Sequence, residues 1–461
     1  MYNKSIFIFR RDFRLTDNLG LIEAIKDSKE IIPIFIFNAE QIDKNKYKSD
    51  NAIQFMIESL VELEKKIKKK KGRLYYFYGK QDNIIKKILN KNKDVDSIYF
   101  NKDWTPYALK RDEQINKICK KNKIDCFQIE DYTLLPINKL LNKNNEVYKV
   151  YGSFYKNAKK YQVPKPVKVK KVNFGKYKGN NDIELNFIEK FYKKNENILV
   201  HGGRKNAQKI LTRMKKFNQY STKRNELDYE TTHLSAYTKF GCVSIREVYH
   251  KMKKHLNPSN QLFNQLFWKE FYIYISKYIP HVLKGKSMKL RYDKIKWNNN
   301  NTIFNKWCEG KTGFPIVDAG MIELNKTGYM HNRSRLITSG FLVKLAMIDW
   351  RKGEKYFANK LIDYDPAQNN GAWQWSSGSG ADSQPYFRIM SPISQSTKFD
   401  PDGSYIKKWI PELKDVEPKH LHDWEKFNNL YDLKKLKYVE PCLDYKKARK
   451  RTMEIYKKYL N

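Results

Sequence analysis

The sequence predicts an α/β unit built on a parallel, doubly wound, Rossmann-like sheet, followed by an all-α unit. Three observations predict it. Short apolar runs alternate with amphipathic helical text over residues 1–134, the periodicity fades over 135–200, and 201–461 reads as helix almost throughout. Parallel strands buried on both faces read as continuous apolar runs, and each needs a crossover before the next.

In chain order, Ile6–Phe9 is a first buried strand, too short for a signal peptide and followed at once by RRDFR. TDNLGLIEAIKDS opens on capping candidates and continues with helical periodicity. Ile31–Phe37 is the second strand, AIQFMIESLVELEKKIKKK an amphipathic helix, and Arg73–Tyr78 and Ser97–Phe100 supply further strands. Helices are expected on both faces of this open sheet. The connector, with text such as YQVPKPVKVKKVNFGKYKGNN, is expected to drape across a neighbouring surface without structure of its own. Beyond Gly202, KNAQKILTRMKKFNQY, SIREVYHKMKKHL and LFNQLFWKEFYIYISKYI are helical. The closing DYKKARKRTMEIYKKYLN is a basic helix whose charge reads as a solvated face, and no internal repeat is found.

Lys and Arg number 91 against 50 Asp and Glu, a net charge of +41. Such a field favours polyanions, nucleic acid first. Lys and Asn are both abundant, as AT-rich coding would produce, so the charge permits DNA binding without locating it. No run approaches the roughly 18 apolar residues of a membrane span. The five cysteines lack metal-ligand spacing, which predicts reduced thiols, no metal site, and a cytosolic or nuclear protein without a signal peptide.

The helical half gathers polar groups among tryptophans. Arg333 and Arg335 sit on an otherwise apolar helix with Asn332 beside them, and buried polar groups need partners. LIDYDPAQNN offers Asp363 and Asp365 as matching carboxylates, and FWKEFY sets Trp268 beside Lys269 and Glu270. A large, partly polar cofactor would explain such a set better than a plain core.

IFRRDFRLTDNLGL, LSAYTKFGCVSIREV, WCEGKTGFPIVDAGMIELNKTGYMHNRSR, NNGAWQWSSGSGADSQPYFR and FDPDGSYIKKWIPEL, in this order, resemble the photolyase/cryptochrome flavoproteins over nearly the whole chain. The nearest resemblance is to class I cyclobutane pyrimidine dimer photolyases. It implies an antenna domain over 1–134, an interdomain linker over 135–200, and a helical FAD- and DNA-binding catalytic domain over 201–461. It also implies a carbon–carbon lyase acting as a monomer on UV-damaged DNA. In that family a light-excited reduced flavin passes an electron to a flipped-out dimer, the ring splits, and the electron returns. A damaged base is weakly stacked, so extruding it costs little.

By the same resemblance, Tyr220, Thr231, Thr232, Leu234 and Ser235 would hold the FAD phosphates and ribityl chain. A helix start suits phosphate, although an ordinary N-cap would read the same way. Arg335 with Asp363 would flank the isoalloxazine, Asp365 would meet its pyrimidine edge, and Asn369 would face N5. Trp373, Trp350 and Trp297 match the relay that carries electrons from the surface to the flavin. Arg224, Gln265, Trp268, Asn332, Arg333, Trp375 and Arg388 form the DNA-facing set, with Trp268 and Trp375 stacking on the flipped bases.

Two positions depart from the class I pattern. Gln265 replaces a glutamate that bonds the dimer, and Leu336 replaces a methionine that packs on it. The (6-4) photolyases need an acid histidine where Leu336 stands, and leucine has no proton to give. Dimer repair is therefore expected, with a cryptochrome-like photoreceptor as the alternative and (6-4) repair third. Pro106 and Tyr107 stand where folate-binding members carry an Asn-Glu pair, which disfavours methenyltetrahydrofolate as antenna. A deazaflavin, a second flavin or an empty pocket are the options left open.

Overall fold

A computed structural model describes residues 1–43, 45–169, 171–179 and 183–460. Five strands, β1 (Tyr2–Phe9), β2 (Ser28–Asn38), β3 (Tyr75–Gly79), β4 (Ser97–Asn101) and β5 (Asp125–Ile129), form one sheet in the order β3-β2-β1-β4-β5. Every pairing is parallel, with Phe7 opposite Pro33 on one side and Tyr99 on the other. The order reverses between β1 and β4, the doubly wound pattern expected from the sequence.

Strand alternation sorts the side chains onto two faces. Ile6, Ile8, Ile34 and Ile98 pack against the helices Gln81–Lys91 and Pro106–Lys121. Phe7, Phe9, Phe35 and Tyr99 face the helices Leu19–Asp27 and Asp50–Lys68, in a core that continues into Phe240, Leu266 and Phe271 of the helical half. Each such buried side chain contributes about 1.5–3 kcal/mol relative to exposure. β5 has no apolar run to announce it. It is an edge strand, half-buried along most of its length, so DCFQI reads as neither strand nor helix.

The segment after β5 drapes over the sheet as expected but is not structureless. Asn173 and Gly175 exchange backbone hydrogen bonds with Ile31, at 3.0 and 2.9 Å, and Ile183 donates to Tyr76 at 2.8 Å. It also carries the helix Tyr151–Ala158 and a short 3-10 turn at Leu185–Phe191. Lys170, Asn180, Asn181 and Asp182 of this connector lie outside the described residues.

The motif RRDFRLTDN docks the two halves. Arg14 meets Asp131 at 2.5 Å, and Arg246 from the helix Ile245–His255 meets Asp131 at 2.8 Å and Asp17 at 3.0 Å. Phe13 N–H donates to the Phe240 carbonyl at 3.2 Å. The approach is so close that a Cβ on Gly241 (φ +60°) would lie 2.2 Å from the Arg11 carbonyl oxygen. Among the described residues no helix is long and apolar enough to cross a membrane, and no three His, Cys, Asp or Glu side chains are grouped to hold a metal ion.

Candidate functional site

Helix starts in the second half place the polar groups around one space. Asp365 caps the helix Pro366–Ser377, accepting from the N–H groups of Ala367 (3.1 Å) and Gln368 (3.2 Å), with Pro366 in the first turn. His331 Nδ1 accepts from Arg333 N–H at 3.2 Å to start Asn332–Gly340, and Asp349 accepts from Arg351 N–H at 3.0 Å to start Trp350–Lys360. These ends, with the helices Leu234–Lys239 and Leu262–Tyr278, surround a cavity of about 630 Å³.

Tyr220, Thr231, Thr232, Leu234, Ser235, Arg335, Asp363, Asp365 and Asn369 all line it. Arg224, Gln265, Trp268, Asn332, Arg333, Trp373 and Trp375 line it as well. The TTHLS start is not an ordinary cap: His233 stands at the N-cap in left-handed backbone (φ 49°) and makes no side-chain cap bond. Among the described residues, the first-turn N–H groups find one side-chain acceptor, Thr232 Oγ1 on Leu234 N–H at 3.4 Å.

Arg335 Nη2 meets both Asp363 oxygens at 3.0 and 3.1 Å, and its Nε donates to the Met330 carbonyl at 2.9 Å. Burial works against its charge, but Asp363 outweighs that and holds it above the ordinary arginine range. Asp365, offered with Asp363 as a carboxylate for the arginines at 333 and 335, pairs with neither. Its second oxygen meets Arg11 at 2.5 Å, and Arg11 also holds Asp103 at 2.9 Å. Arg333 finds amides instead, Asn225 at 2.7 Å and Gln395 at 3.3 Å, and among the described residues no carboxylate pairs with it. Nor does Glu270 serve the cavity. Its carboxylate accepts from Leu134 N–H across the domain boundary, while Lys269 donates to the Tyr132 carbonyl at 3.0 Å.

Sequence reading missed Tyr329, Tyr272, Asn225 and Lys239, all of which line the cavity. Burial, then neighbouring Arg11, pulls the Lys239 ammonium down to about 7. Arg11 carried a signal in the Arg doublet closing β1, but a partner 354 residues away has no signature in spacing.

Asn369 is 8 % exposed, and its Nδ2 donates to the Glu354 carbonyl at 2.9 Å. Burial pushes the Glu354 carboxyl up to about 7, although hydrogen bonds from Tyr47 and Asn369 oppose it. A carboxyl whose folded value is raised stabilises the fold while protonated. That contribution is present below the unfolded value and is lost as pH rises towards 7. Glu354→Gln is expected to flatten the fall in stability between pH 5 and 7, by up to about 1.4 kcal/mol per pH unit. Denaturant midpoints across that range, at fixed ligand occupancy, check it; an unchanged slope counts against a raised Glu354.

Trp373 is 2 % exposed, edge-on to Phe357 (4.9 Å) and Trp307 (6.1 Å). It packs directly on the backbone of the Trp350–Lys360 helix: a Cβ on Gly353 would lie 2.2 Å from the Trp373 ring. Trp350 is buried at the start of that helix and does not line the cavity. Asn298 N–H donates to the Met347 carbonyl at 2.8 Å and Asp349 N–H to Asn299 at 3.2 Å, which ties half-buried Trp297 to the turn before Trp350. Trp373 thus lies at the cavity wall, Trp350 in the core and Trp297 partly at the surface. Trp268 is backed by Tyr151 of the connector, stacked at 3.8 Å and 5°. Arg388 is exposed and lies outside the main cavity, in a small recess shared with Leu336 and Trp375.

Two family models match the chain: the FAD binding domain of DNA photolyase over residues 262–458, and DNA photolyase over residues 5–170. The deoxyribodipyrimidine photo-lyase of Buchnera aphidicola subsp. Acyrthosiphon pisum is 35% identical, over 98% of this chain and 97% of that one. The Escherichia coli protein of the same name is 33% identical, over 97% of each chain. Among solved structures, an archaeal photolyase from Sulfolobus tokodaii with two FAD molecules superposes with a TM-score of 0.89 at 38% identity, covering 99% of this chain and all of that one. A bacterial class III photolyase from Agrobacterium tumefaciens gives 0.91 at 27% identity, covering 100% and 98%.

Proposed function

Since the chain belongs to the DNA photolyase family, we propose that it is a deoxyribodipyrimidine photo-lyase, using light and FAD to split cyclobutane pyrimidine dimers in DNA. The observation that carries this reading is the convergence of Arg335–Asp363, Asn369, Trp373 and the uncapped start of Leu234–Lys239 on one cavity. Within the family, class I is the nearest fit. The division at 134 and 200 into antenna domain, linker and catalytic domain belongs to the same reading, as does action as a monomer wherever the cell keeps its DNA.

The cavity suits FAD. Its size lies within the range of cofactor pockets, about 300–1,000 Å³, and its walls carry donors and charge where a folded dinucleotide needs them. Thr231, Thr232, Leu234 and Ser235, with Tyr220, would meet the phosphates and ribityl chain. Arg335 and Asp363 would lie beside the isoalloxazine, with Asp365, fixed by Arg11, at its pyrimidine edge. Asn369 would offer N5 a neutral amide, which could follow the protonation state there without adding charge. Bound there, FAD supplies the light-driven electron transfer, while the protein supplies placement and electrostatics.

Trp373, which lines the cavity, would be the first electron donor, with Trp350 and Trp297 as the next members of the relay. Trp268 and Trp375 would enclose the extruded dimer, and Gln265 can donate an amide hydrogen bond to a pyrimidine carbonyl. Arg224, Arg333, Asn332 and Arg388 would meet the flanking backbone. Leu336 in the recess cannot protonate a lesion, which disfavours (6-4) repair. At the sheet, Pro106 and Tyr107 stand where folate-binding members carry an Asn-Glu pair, and neither supplies a carboxylate. The β1/β4 switch point is where a second chromophore would sit if the chain takes one, with a deazaflavin, a second flavin and an empty pocket as the options. The likeness to an archaeal photolyase with two FAD molecules makes a second flavin the first to test.

The deciding experiment is blue-light treatment of the flavin-reduced protein with two oligonucleotides, one bearing a thymine cyclobutane dimer and one a (6-4) lesion. Monomeric thymine is expected from the first alone. No repair by protein with flavin confirmed reduced would overturn the lyase reading and favour a cryptochrome-like photoreceptor.

A further inference from the structure

Lys344 is a buried ammonium that the proposed photochemistry does not use. It lies in the π-turn Phe341–Leu345, which follows the helix carrying Arg335 and Leu336, and it is 4 % exposed. Among the described residues no carboxylate pairs with it. Nζ donates instead to the carbonyls of Ser377 (3.2 Å) and Tyr386 (3.4 Å) and sits 3.7 Å from the centre of the Tyr456 ring. Burial alone pulls it down to about 7.

An apolar side chain of this length would fill the site without that desolvation cost. What the ammonium adds is a pair of hydrogen bonds to the two ends of one loop. The loop, residues 377–386, is the Gly- and Ser-rich turn between Trp375 and Arg388. Lys289 bridges the loop one step further in, its Nζ meeting Gly378 O at 3.3 Å and Ser383 Oγ at 2.7 Å, and Asp382 N–H donates to Lys149 O at 2.9 Å. Among the described residues, only Lys344 donates to both terminal residues of the loop, Ser377 and Tyr386. The C-terminal helix Tyr445–Leu460 braces this point. Tyr456 O–H donates to the same Ser377 carbonyl at 3.0 Å, and Thr452 Oγ1 donates to the Lys344 carbonyl. Lys344, Leu336, Trp375 and Arg388 line one small recess beside the main cavity.

We propose that Lys344 is a positioning residue for lesion recognition, closing the base of the 377–386 loop so that Trp375 and Arg388 are presented at a fixed spacing. This rests on the reading that Trp375 and Arg388 meet damaged DNA. π-turns recur at functional sites, and here the extra residue brings a lysine on a framework helix under a loop it does not adjoin in sequence.

The test is Lys344→Met, which keeps length and volume, in the flavin-loaded full chain. Affinity for a dimer-bearing oligonucleotide is expected to fall roughly tenfold. Flavin absorbance, light-driven flavin reduction and repair per absorbed photon at saturating DNA should stay at the wild-type level. That split separates loop placement from general damage to the fold. Tyr456→Phe keeps the ring under Nζ but removes the second donor to Ser377, and is expected to weaken dimer binding in the same direction by less. It decides the matter if Lys344→Met does not fold. Wild-type dimer affinity in either folded variant overturns the role, as does a loss of repair at saturating DNA that parallels the loss of affinity. Failure of the unmodified protein to bind or repair the dimer overturns the underlying lesion-site reading, and this role with it.

Discussion

Replacing Trp373 with phenylalanine is expected to lower the yield of light-driven flavin reduction by more than an order of magnitude in a protein that still folds and holds its flavin. Trp373 is the one member of the Trp373–Trp350–Trp297 series that lines the cavity. Phenylalanine keeps an aromatic ring against Phe357 and Trp307, so the main structural cost is the volume of the lost ring. Deletions on that scale in a core cost about 1–3 kcal/mol, too little to unfold a domain of this size. The check is paired. Flavin reduction under blue light with an external reductant should collapse, while protein reduced chemically beforehand should repair dimers as before. Undiminished photoreduction in Trp373→Phe would remove this residue from the electron path.

Asp131→Ala is expected to cost about 3–5 kcal/mol of stability, the range for breaking a buried ion pair from one side. Asp131 is 2 % exposed and lies between Arg14 and Arg246, themselves 1 % and 3 % exposed. Burial works against its charge, but the two guanidiniums outweigh that and hold it below the usual carboxylate range. Alanine leaves Arg14 without its carboxylate and Arg246 with Asp17 alone. Asp131→Asn keeps one acceptor oxygen but turns an NH2 donor towards the other guanidinium, so it should cost a comparable amount. The sign with pH follows from the depressed carboxyl: its contribution is present above the unfolded value and is lost as pH falls through the folded one. Chemical unfolding at fixed flavin occupancy measures it, since ligand binding raises apparent stability by mass action. A cost below about 1 kcal/mol would place this pair with surface ion pairs and deny it a part in docking the two halves.

How much could be read in advance follows from the physics of each element. β1 to β4 were legible because strands buried on both faces must be apolar residue after residue. β5 was not, because an edge strand half open to solvent carries no such run. The connector's path over a neighbour was legible from its lost periodicity. Its helix Tyr151–Ala158 was not, since eight residues in isolation are too few to hold a helix and packing against Trp268 and Phe271 supplies the rest.

The candidate site divides the same way. Residue types alone offered two arginines, at 333 and 335, and two carboxylates, at 363 and 365; the tryptophan series, the Arg335–Asp363 pairing and the amide at 369 were nominated by the family resemblance that the ordered motifs carry. Which charge meets which was settled only by three-dimensional packing. Asp365 belongs to Arg11 at the end of β1, Arg333 to two amides, Glu270 to the domain boundary, and Lys344 to a loop beyond the next two helices. Short-range order in a sequence reports on helices and strands, whose hydrogen bonds are local. A buried charge takes whatever partner the completed fold brings within reach, and sequence separation carries no trace of that distance.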